Sequence, residues 1–502
     1  MKKLISLALC LLLAIPAAAL ADSDTALPVT EGKPRLLVTQ DGEVDDMNSL
    51  IHTLLYADEF DLEGIVQTSS SLHYSGGESG ESLRWMGTDW MYEFLDAYAE
   101  VYPNLIVHDP EYPTPDYLRS VTVVGNVEAE NDMETVSAGS ELIKERILAE
   151  DDRPLYIEVG GGANTLARAL KSIEEEYKGT EGWDALYARI CDNVICFAWG
   201  MQDTCYKDYI QPNWPAMRFV DVSNSTLAYG YRWANVEELS EESYTKLSGA
   251  WMEENIEKNK GALLDKYVTW GDGTYLEGEP DEYQYGTNEA LLNDDTTWLG
   301  HAYQRYDFLS EGDSPTWFIV IPNGLRSLED LSYGGWAGRY ALKGSKDVEG
   351  ARLYQAAKGK ERGVAAWIAA IQSDLAMRAQ WCVASTYEEA NHLPTVSGTE
   401  GIDLTAAAGE TLTLHATAED PDGDSVSYRW YHYPIGDTYE EATDSDKLPI
   451  AIPVTVSEDG TEASFTVPED AKSGDTVHVI LECVDGGGTN PIAYQRVIVT
   501  VK

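Results

Sequence analysis

Positive charge is scarce in this sequence. Lysine and arginine number 35 against 86 aspartates and glutamates, a formal net charge of −51. That balance excludes the basic face a nucleic-acid phosphate binder needs, and it argues against docking on anionic lipid. It suits solubility, cation-rich surroundings and neutral or cationic partners. Long apolar runs are equally scarce. The one at Leu4–Ala14 is too short to span a bilayer as a stable helix, and no later segment is apolar enough to cross a membrane. With six cysteines, the chain has no CxxC pair and no Cys/His zinc spacing. No P-loop, GxGxxG dinucleotide site, HExxH helix or Ser-His-Asp order stands out, and no repeat recurs at solenoid or propeller periods.

The N-terminus is read as a processing signal. Lys2 and Lys3 precede the apolar run, and Ala19-Leu20-Ala21 forms a small-x-small cleavage site before Asp22. This is the layout of a secretory signal peptide over residues 1–21. The mature chain is expected to be exported, secreted or otherwise extracytoplasmic. Cleavage removes Cys10 and leaves Cys191, Cys196, Cys205, Cys382 and Cys483. An odd number leaves at least one thiol even where disulfides are permitted. Buried structural thiols are expected in preference to a disulfide within 191–205.

Hydrophobic residues make up 43% of 502 positions, enough for sizeable cores in two to four domains. Residues 22–33 read as a polar leader. Between 34 and 392 apolar strands alternate with helical stretches. Strands are expected at Arg35–Thr39, Leu62–Gln67, Pro154–Val159 and Val194–Trp199. Helices are expected at Met47–Tyr56, Ser82–Tyr102 and Asn164–Ile173. Buried strands separated by helices mean an α/β domain, a mostly parallel sheet with helices on both faces. From 393 to 502 short alternating segments and turns, such as Asp420-Pro421-Asp422-Gly423-Asp424, predict an all-β immunoglobulin-like sandwich.

The sharpest chemical feature is Thr39-Gln40-Asp41-Gly42-Glu43-Val44-Asp45-Asp46, between the first strand and the first helix. Ligands of open parallel sheets bind beyond the carboxyl ends of strands, where this segment falls. Asp41 and Asp46 offer hard oxygen ligands to one divalent cation, as calcium prefers. Asp45 is free to accept from substrate hydroxyls. Ordinary capping of the helix N-terminus is the alternative.

These residues, with Gly160-Gly161-Gly162-Ala163-Asn164-Thr165-Leu166-Ala167, resemble the landmarks of the nucleoside hydrolase superfamily. That family opens with D-x-D-x-x-x-D-D after its first strand. Its last three aspartates fall on Asp41, Asp45 and Asp46, and Thr39 replaces its first. The chain is more similar still to a secreted subfamily of cellulose-binding proteins, with a nucleoside-hydrolase-like domain and a β-sandwich tail. Further resemblance lies in Thr68-Ser69-Ser70, Glu311-Gly312-Asp313-Ser314-Pro315, Ile321–Leu325, Gly335–Tyr340, Trp381-Cys382-Val383 and Ala390-Asn391-His392.

The resemblance implies a calcium ion that holds the attacking water and two sugar hydroxyls. Asp41 would ligate the metal and take the water's proton. Asp46 would be a second ligand, Asp313 the distal one, and a backbone carbonyl near Val159 or Gly160 would complete the set. Asp313 has an alternative role in a helix N-cap region. Asp45 would bind sugar hydroxyls, and Ser70 or Ser71 stands near the family's sugar-binding asparagine. By their place after a strand end, Gln202, Asp203 and Asn213 are further substrate-binding candidates. Many nucleoside hydrolases carry a histidine just before the distal aspartate; Gly312 stands there instead, with His73 and His392 as conceivable substitutes. Trp85, Trp199, Trp214 and Trp336 are candidates for stacking on a base or sugar, or for the core. Asn323 and Arg339 shape either the pocket or the fold. The expected function is a secreted, calcium-dependent hydrolase of N-glycosidic or related glycosyl bonds, acting on a small glycoside or a carbohydrate. The alternatives are a carbohydrate-binding protein of the same fold with little or no turnover, and a docking module carried on a passive scaffold.

Overall fold

The structure is a computed structural model describing residues 24–77, 80–224, 227–357, 363–398, 400–439 and 450–502; the expected signal peptide lies outside them. Its scaffold grows from β1 (Arg35–Gln40), buried along its whole length as a central parallel strand must be. Next come α1 (Val44–Leu55), β2 (Asp61–Gln67), α2 (Trp90–His108), α3 (Pro115–Ser120), β3 (Thr122–Val124) and α4 (Ala138–Leu148). The chain continues through β4 (Leu155–Val159), α5 (Asn164–Tyr177), α6 (Trp183–Asn193), β5 (Val194–Ala198), α7 (Gln211–Asn213) and β6 (Arg218–Asp221). It then runs through α8 (Glu241–Leu247), α9 (Gly249–Met252), α10 (Ser314–Trp317), β7 (Tyr340–Leu342), β8 (Leu353–Ala356) and α11 (Ile368–Trp381).

These strands form one sheet in the order β3-β2-β1-β4-β5-β6-β8-β7. Every pairing is parallel except that of the edge strand β7 with β8. Leu36 and Val38 face one core, with Tyr156 and Phe197; Leu37 faces the other, with Ile157 and Cys196. Both faces are thus covered. The chain turns from one half of the sheet to the other between β1 and β4, and such a switch opens a crevice beyond the strand ends.

Two local expectations are corrected. The helix expected from Ser82 starts at Trp90, because Arg84 adopts a positive φ of 46° and its guanidinium is held by Glu279. The leader is not merely a polar tail. Leu27 is buried, its amide donates to the Glu329 carbonyl, and Ala26 forms a bridge with Asp330.

The C-terminal unit contains β9 (Thr395–Gly398), β10 (Asp403–Ala406), β11 (Thr411–Glu419) and β12 (Val426–His432). After these come β13 (Thr455–Val456), β14 (Glu462–Thr466), β15 (Thr476–Asp485) and β16 (Ile492–Val501). They form two four-stranded sheets, β10-β16-β15-β12 and β13-β14-β11-β9. Leu414, Phe465, Trp430, Leu481 and Val497 share the core between them. The unit is also welded to the large domain. Ile480 and Tyr494 join the larger core, Ser373 and Thr489 exchange two hydrogen bonds, and Arg496 donates to the Tyr333 and Gly334 carbonyls at 2.7 Å.

All five cysteines described are free and buried, as expected. Burial pushes their thiols up, Cys191 to about 11 and Cys483 to about 12. Among the described residues no helix is long and apolar enough to cross a membrane.

Candidate functional site

The turn after β1 is locked by its own acids. The Asp41 amide donates to Asp46 Oδ1 and the Glu43 amide to Asp41 Oδ1, each at 3.0 Å. Asp45 and Asp46 therefore sit in the first turn of α1, whose N-terminal dipole favours negative charge. Asp313 arrives from the start of α10. Oxygens of Asp45, Asp46 and Asp313 lie within 4.8 Å of one another. The capping alternative fails for Asp313: its side chain makes no cap hydrogen bond, and its Oδ1 is buried without a partner. Local bonding falls to Glu311 instead. Its Oε2 lies 2.6 Å from His52 Nδ1 and accepts from the Ser314 hydroxyl at 2.6 Å, while Oε1 accepts from Tyr267.

Like charges crowd this crevice. Burial, then the charge of Glu43, pushes Asp45 up to about 8. Burial and neighbouring carboxylates hold Asp46 and Asp313 well above the usual range. Glu158, on β4, is pushed up mainly by burial, with Thr39 and Thr316 nearby opposing, and neither of its oxygens meets a donor in full hydrogen-bond geometry. Asp41 Oδ2 is likewise buried and unpartnered. Such a set of orphaned, all-oxygen acceptors fits a hard divalent cation of the calcium type. Gly160 keeps the floor open: a Cβ there would stand 3.0 Å from both Asp46 Oδ1 and Glu158 Oε1.

The carboxylate grouping differs in one respect from the expected ligand set. Asp45, rather than Asp41, shares the close cluster with Asp46 and Asp313. The Val159 carbonyl accepts the Trp199 amide at 3.3 Å, and the Gly160 carbonyl accepts the Gln202 side-chain amide. Ser71 is exposed, and its backbone amide ties the loop after β2 to the Gln202 carbonyl at 2.8 Å. Asp203 is buried at the start of α5, accepts from the Cys205 amide at 2.9 Å and is raised by burial to about 6. Asn213 is not brought to the cluster; it lies exposed, its amide donating to the Tyr209 carbonyl at 2.8 Å.

Of the two histidines, only His73 reaches the site. Its Nε2 lies 3.0 Å from Glu279 Oε1, and its unpartnered Nδ1 stands 3.7 Å from Asp41 Oδ1. His392 belongs to the domain junction, where it meets Asp422 and His108. The turn around Asp420 is closed by its own amides, those of Asp422 and Asp424 donating to Asp420 Oδ1 at 2.9 Å. Trp214 packs with Trp183 and Tyr187 in the core. Trp336 and Asn323 line a separate cavity of ≈ 240 Å³ at the domain junction.

Beside the carboxylates opens a cavity of ≈ 350 Å³, with Asp45 at one end and Trp199, Leu227, Tyr231, Val236 and Trp298 among its walls. The Tyr231 hydroxyl donates to Asp45 Oδ1 at 3.0 Å. Sequence reasoning missed Glu158, Tyr231 and Trp298. A charged residue inside the buried strand Leu155–Val159 was a usable signal for Glu158, since unpaired buried glutamates are rare. Tyr231 and Trp298 lie in irregular segments with no periodicity to place them.

Two family models match the chain. One, described as "Cellulose-binding Sde182, nucleoside hydrolase-like domain", covers residues 35–340. The other, "Cellulose-binding protein Sde0182, C-terminal domain", covers 411–501. No curated protein matches significantly. Among solved structures, a nucleoside hydrolase-related hypothetical protein from Saccharophagus degradans, described as associated with carbohydrate metabolism, is 25% identical. The match covers 94% of this chain and 100% of that one, with a TM-score of 0.64. The effector protein XOO4466 matches at 12% identity over 70% of this chain and 95% of that one, with a TM-score of 0.36.

Proposed function

The chain belongs to the cellulose-binding Sde182 family with a nucleoside-hydrolase-like domain, and from that membership we propose that it is an exported protein that holds a carbohydrate through a calcium site. Asp46 and Asp313, with Asp45 or Asp41, would hold the cation. Bound there, calcium supplies a Lewis-acidic centre that orients neighbouring hydroxyls and acidifies water. Asp45 accepts from sugar hydroxyls at the mouth of the cavity, and Tyr231 fixes its carboxylate. The observation that carries this reading is Asp313 Oδ1, buried and without a partner inside a cluster of buried acids. The sandwich is a poorer candidate for the sugar surface: its large apolar side chains most exposed among the described residues are Ile402, Ile450 and Val456, none aromatic.

A second reading adds turnover. Asp41 would take a proton from an attacking water, and the glycosyl bond would break to release free sugar. The buried, unbonded Asp41 Oδ2 supports it; Gly312, in the place of a protonating histidine, favours binding alone.

Calcium titration of the mature protein by calorimetry, beside Asp46→Ala, tests the site. Saturable binding lost in the variant supports it, and no binding in the wild type removes it. A screen of nucleosides and oligosaccharides for released sugar separates binding from hydrolysis. Export is tested by sequencing the N-terminus of secreted protein, which is expected to begin at Asp22.

A further inference from the structure

A second cleft opens where the two units meet. Its volume is ≈ 770 Å³, more than twice that of the cavity beside Asp45 and within the range of ligand sites. The large domain lines it with Asn255, Lys260, part of α11 and residues 387–391; the sandwich adds the turn around Asp422 and the pair Gly488-Thr489. It stands apart from the carboxylates. Asp45 and Asp46 sit in the first turn of α1, whereas the Leu55 carbonyl at the far end of that helix accepts from Arg378, next to Met377 of the cleft wall, at 3.0 Å. Twelve residues of helix put about 18 Å between those ends.

The cleft presents donors and acceptors together. Gln380 Oε1 accepts from Lys260 Nζ at 3.0 Å, which leaves the Gln380 amide and the rest of the ammonium to donate. Tyr387 is stacked on His392, ring centroids 3.6 Å apart, so its hydroxyl is held at a fixed place on the wall. Asn255 gives its Nδ2 to the Trp251 carbonyl at 2.9 Å and Asn391 gives its Nδ2 to Asp485 Oδ2 at 2.5 Å, which leaves both Oδ1 atoms to accept. A Cβ at Gly487 would overlap Asn391 Oδ1 and Asp424 Oδ2 together, so acceptors from the two units converge on a spot that glycine keeps open. Ala376 and Met377 supply an apolar floor. The polar side chains are partly or fully exposed to water. A ligand that brings its own hydroxyls replaces that water bond for bond. An anion would meet Glu388 and Asp424. A cation would meet the Lys260 ammonium, and it would find Asp422 and Glu389 already bonded, to the His392 amide and to the Ser385 and Thr386 amides. A neutral ligand avoids both conflicts.

We infer that this junction cleft is a second carbohydrate site, which takes a neutral oligosaccharide across both units without calcium. The Gln380 amide, the Lys260 ammonium and the Tyr387 hydroxyl donate to its oxygens; Asn255, Asn391 and Asp424 accept from its hydroxyls. The inference goes beyond the calcium site proposed above and does not depend on it.

The test is calorimetry of the full mature chain with cellohexaose, xylohexaose and mannohexaose, first in EDTA and then in calcium. At least one is expected to bind in EDTA. Gln380→Ala, Tyr387→Phe and Asp424→Asn should each weaken that binding roughly three- to tenfold, the weight of one net hydrogen bond, and Asp46→Ala should leave it unchanged. Each of the three removes a polar group exposed to water, and Tyr387→Phe keeps the ring on His392; an unchanged melting temperature shows that a variant is folded, and any that melts lower is set aside for the other two. Binding in EDTA that all three variants leave intact would overturn the inference. So would binding that appears only with calcium and is lost in Asp46→Ala, which would leave the calcium-site reading standing. No binding of any of the three sugars under either condition would overturn the inference alone, because the calcium titration judges the other site.

Discussion

Replacing Asp46 by Asn removes a carboxyl whose burial among like charges costs stability through repulsion or proton uptake. Without calcium the variant is expected to melt at a higher temperature than the wild type, since the remaining carboxylates repel less. With calcium the order should reverse, because the wild type gains more binding energy. Calcium affinity should fall on the order of 100-fold, at least as much as losing a supporting partner does. Scanning calorimetry with and without calcium reads both effects. The aspartates after β1 were legible in the sequence because a strand, a short acidic turn and a helix fix where they must point. Asp313 was legible only through family resemblance; its capping alternative fails because its side chain makes no cap hydrogen bond. Trp298 and Tyr231 were not legible, because long irregular segments carry no period from which to infer a facing direction.

The segment that presents Asp313 is short, since α10 runs only from Ser314 to Trp317. Its rigidity comes from Glu311, which anchors the preceding turn to α1 through His52 and to Tyr267. Glu311→Ala would leave those buried groups without their acceptor. A loss of stability of about 3–5 kcal/mol is expected, the range for breaking a buried ionic or strongly hydrogen-bonded pair. Urea denaturation checks it. Calcium affinity, measured on the fraction still folded, should fall as well, because Asp313 loses its support. Element boundaries were read well where burial was continuous, as in β1 and β4. They were misread at 82–102, where apolar residues keep helical spacing but Arg84 is pulled out of helical geometry by Glu279 and Glu43.

Across the whole molecule, one histidine chain joins the two units. His108 of α2 lies 2.9 Å from His392, and His392 lies 3.1 Å from Asp422 of the sandwich. Burial, with the adjacent His392, holds His108 below the usual histidine range; the Ala384 carbonyl, Asp422 and Glu389 oppose this. The folded chain therefore prefers His108 neutral. The stability this gives is intact above the unfolded value, about 6.5, and is lost as pH falls from there through the lowered folded value. The carboxyls held high act in the opposite sense, so the effect is read as a difference: relative to the wild type, His108→Gln should gain melting temperature at pH 5 compared with pH 7.5. A residual slope is expected from His478, which burial and Arg496 hold low in the same direction. Arg496 itself bonds across the junction, so the wild type should unfold in a single calorimetric transition. Arg496→Ala should lower and split it. The two-unit organisation was legible from the switch in hydrophobic period near Asn391; the intimacy of the junction was not, since its partners lie far apart in the chain.

The five thiols, each free and sealed in a core, bear on how the protein is made. Among the described residues no disulfide has to form. The chain from Asp22 onward, made under reducing or oxidising conditions, should be the same covalent species, unreactive to iodoacetamide until denatured and then alkylated five times.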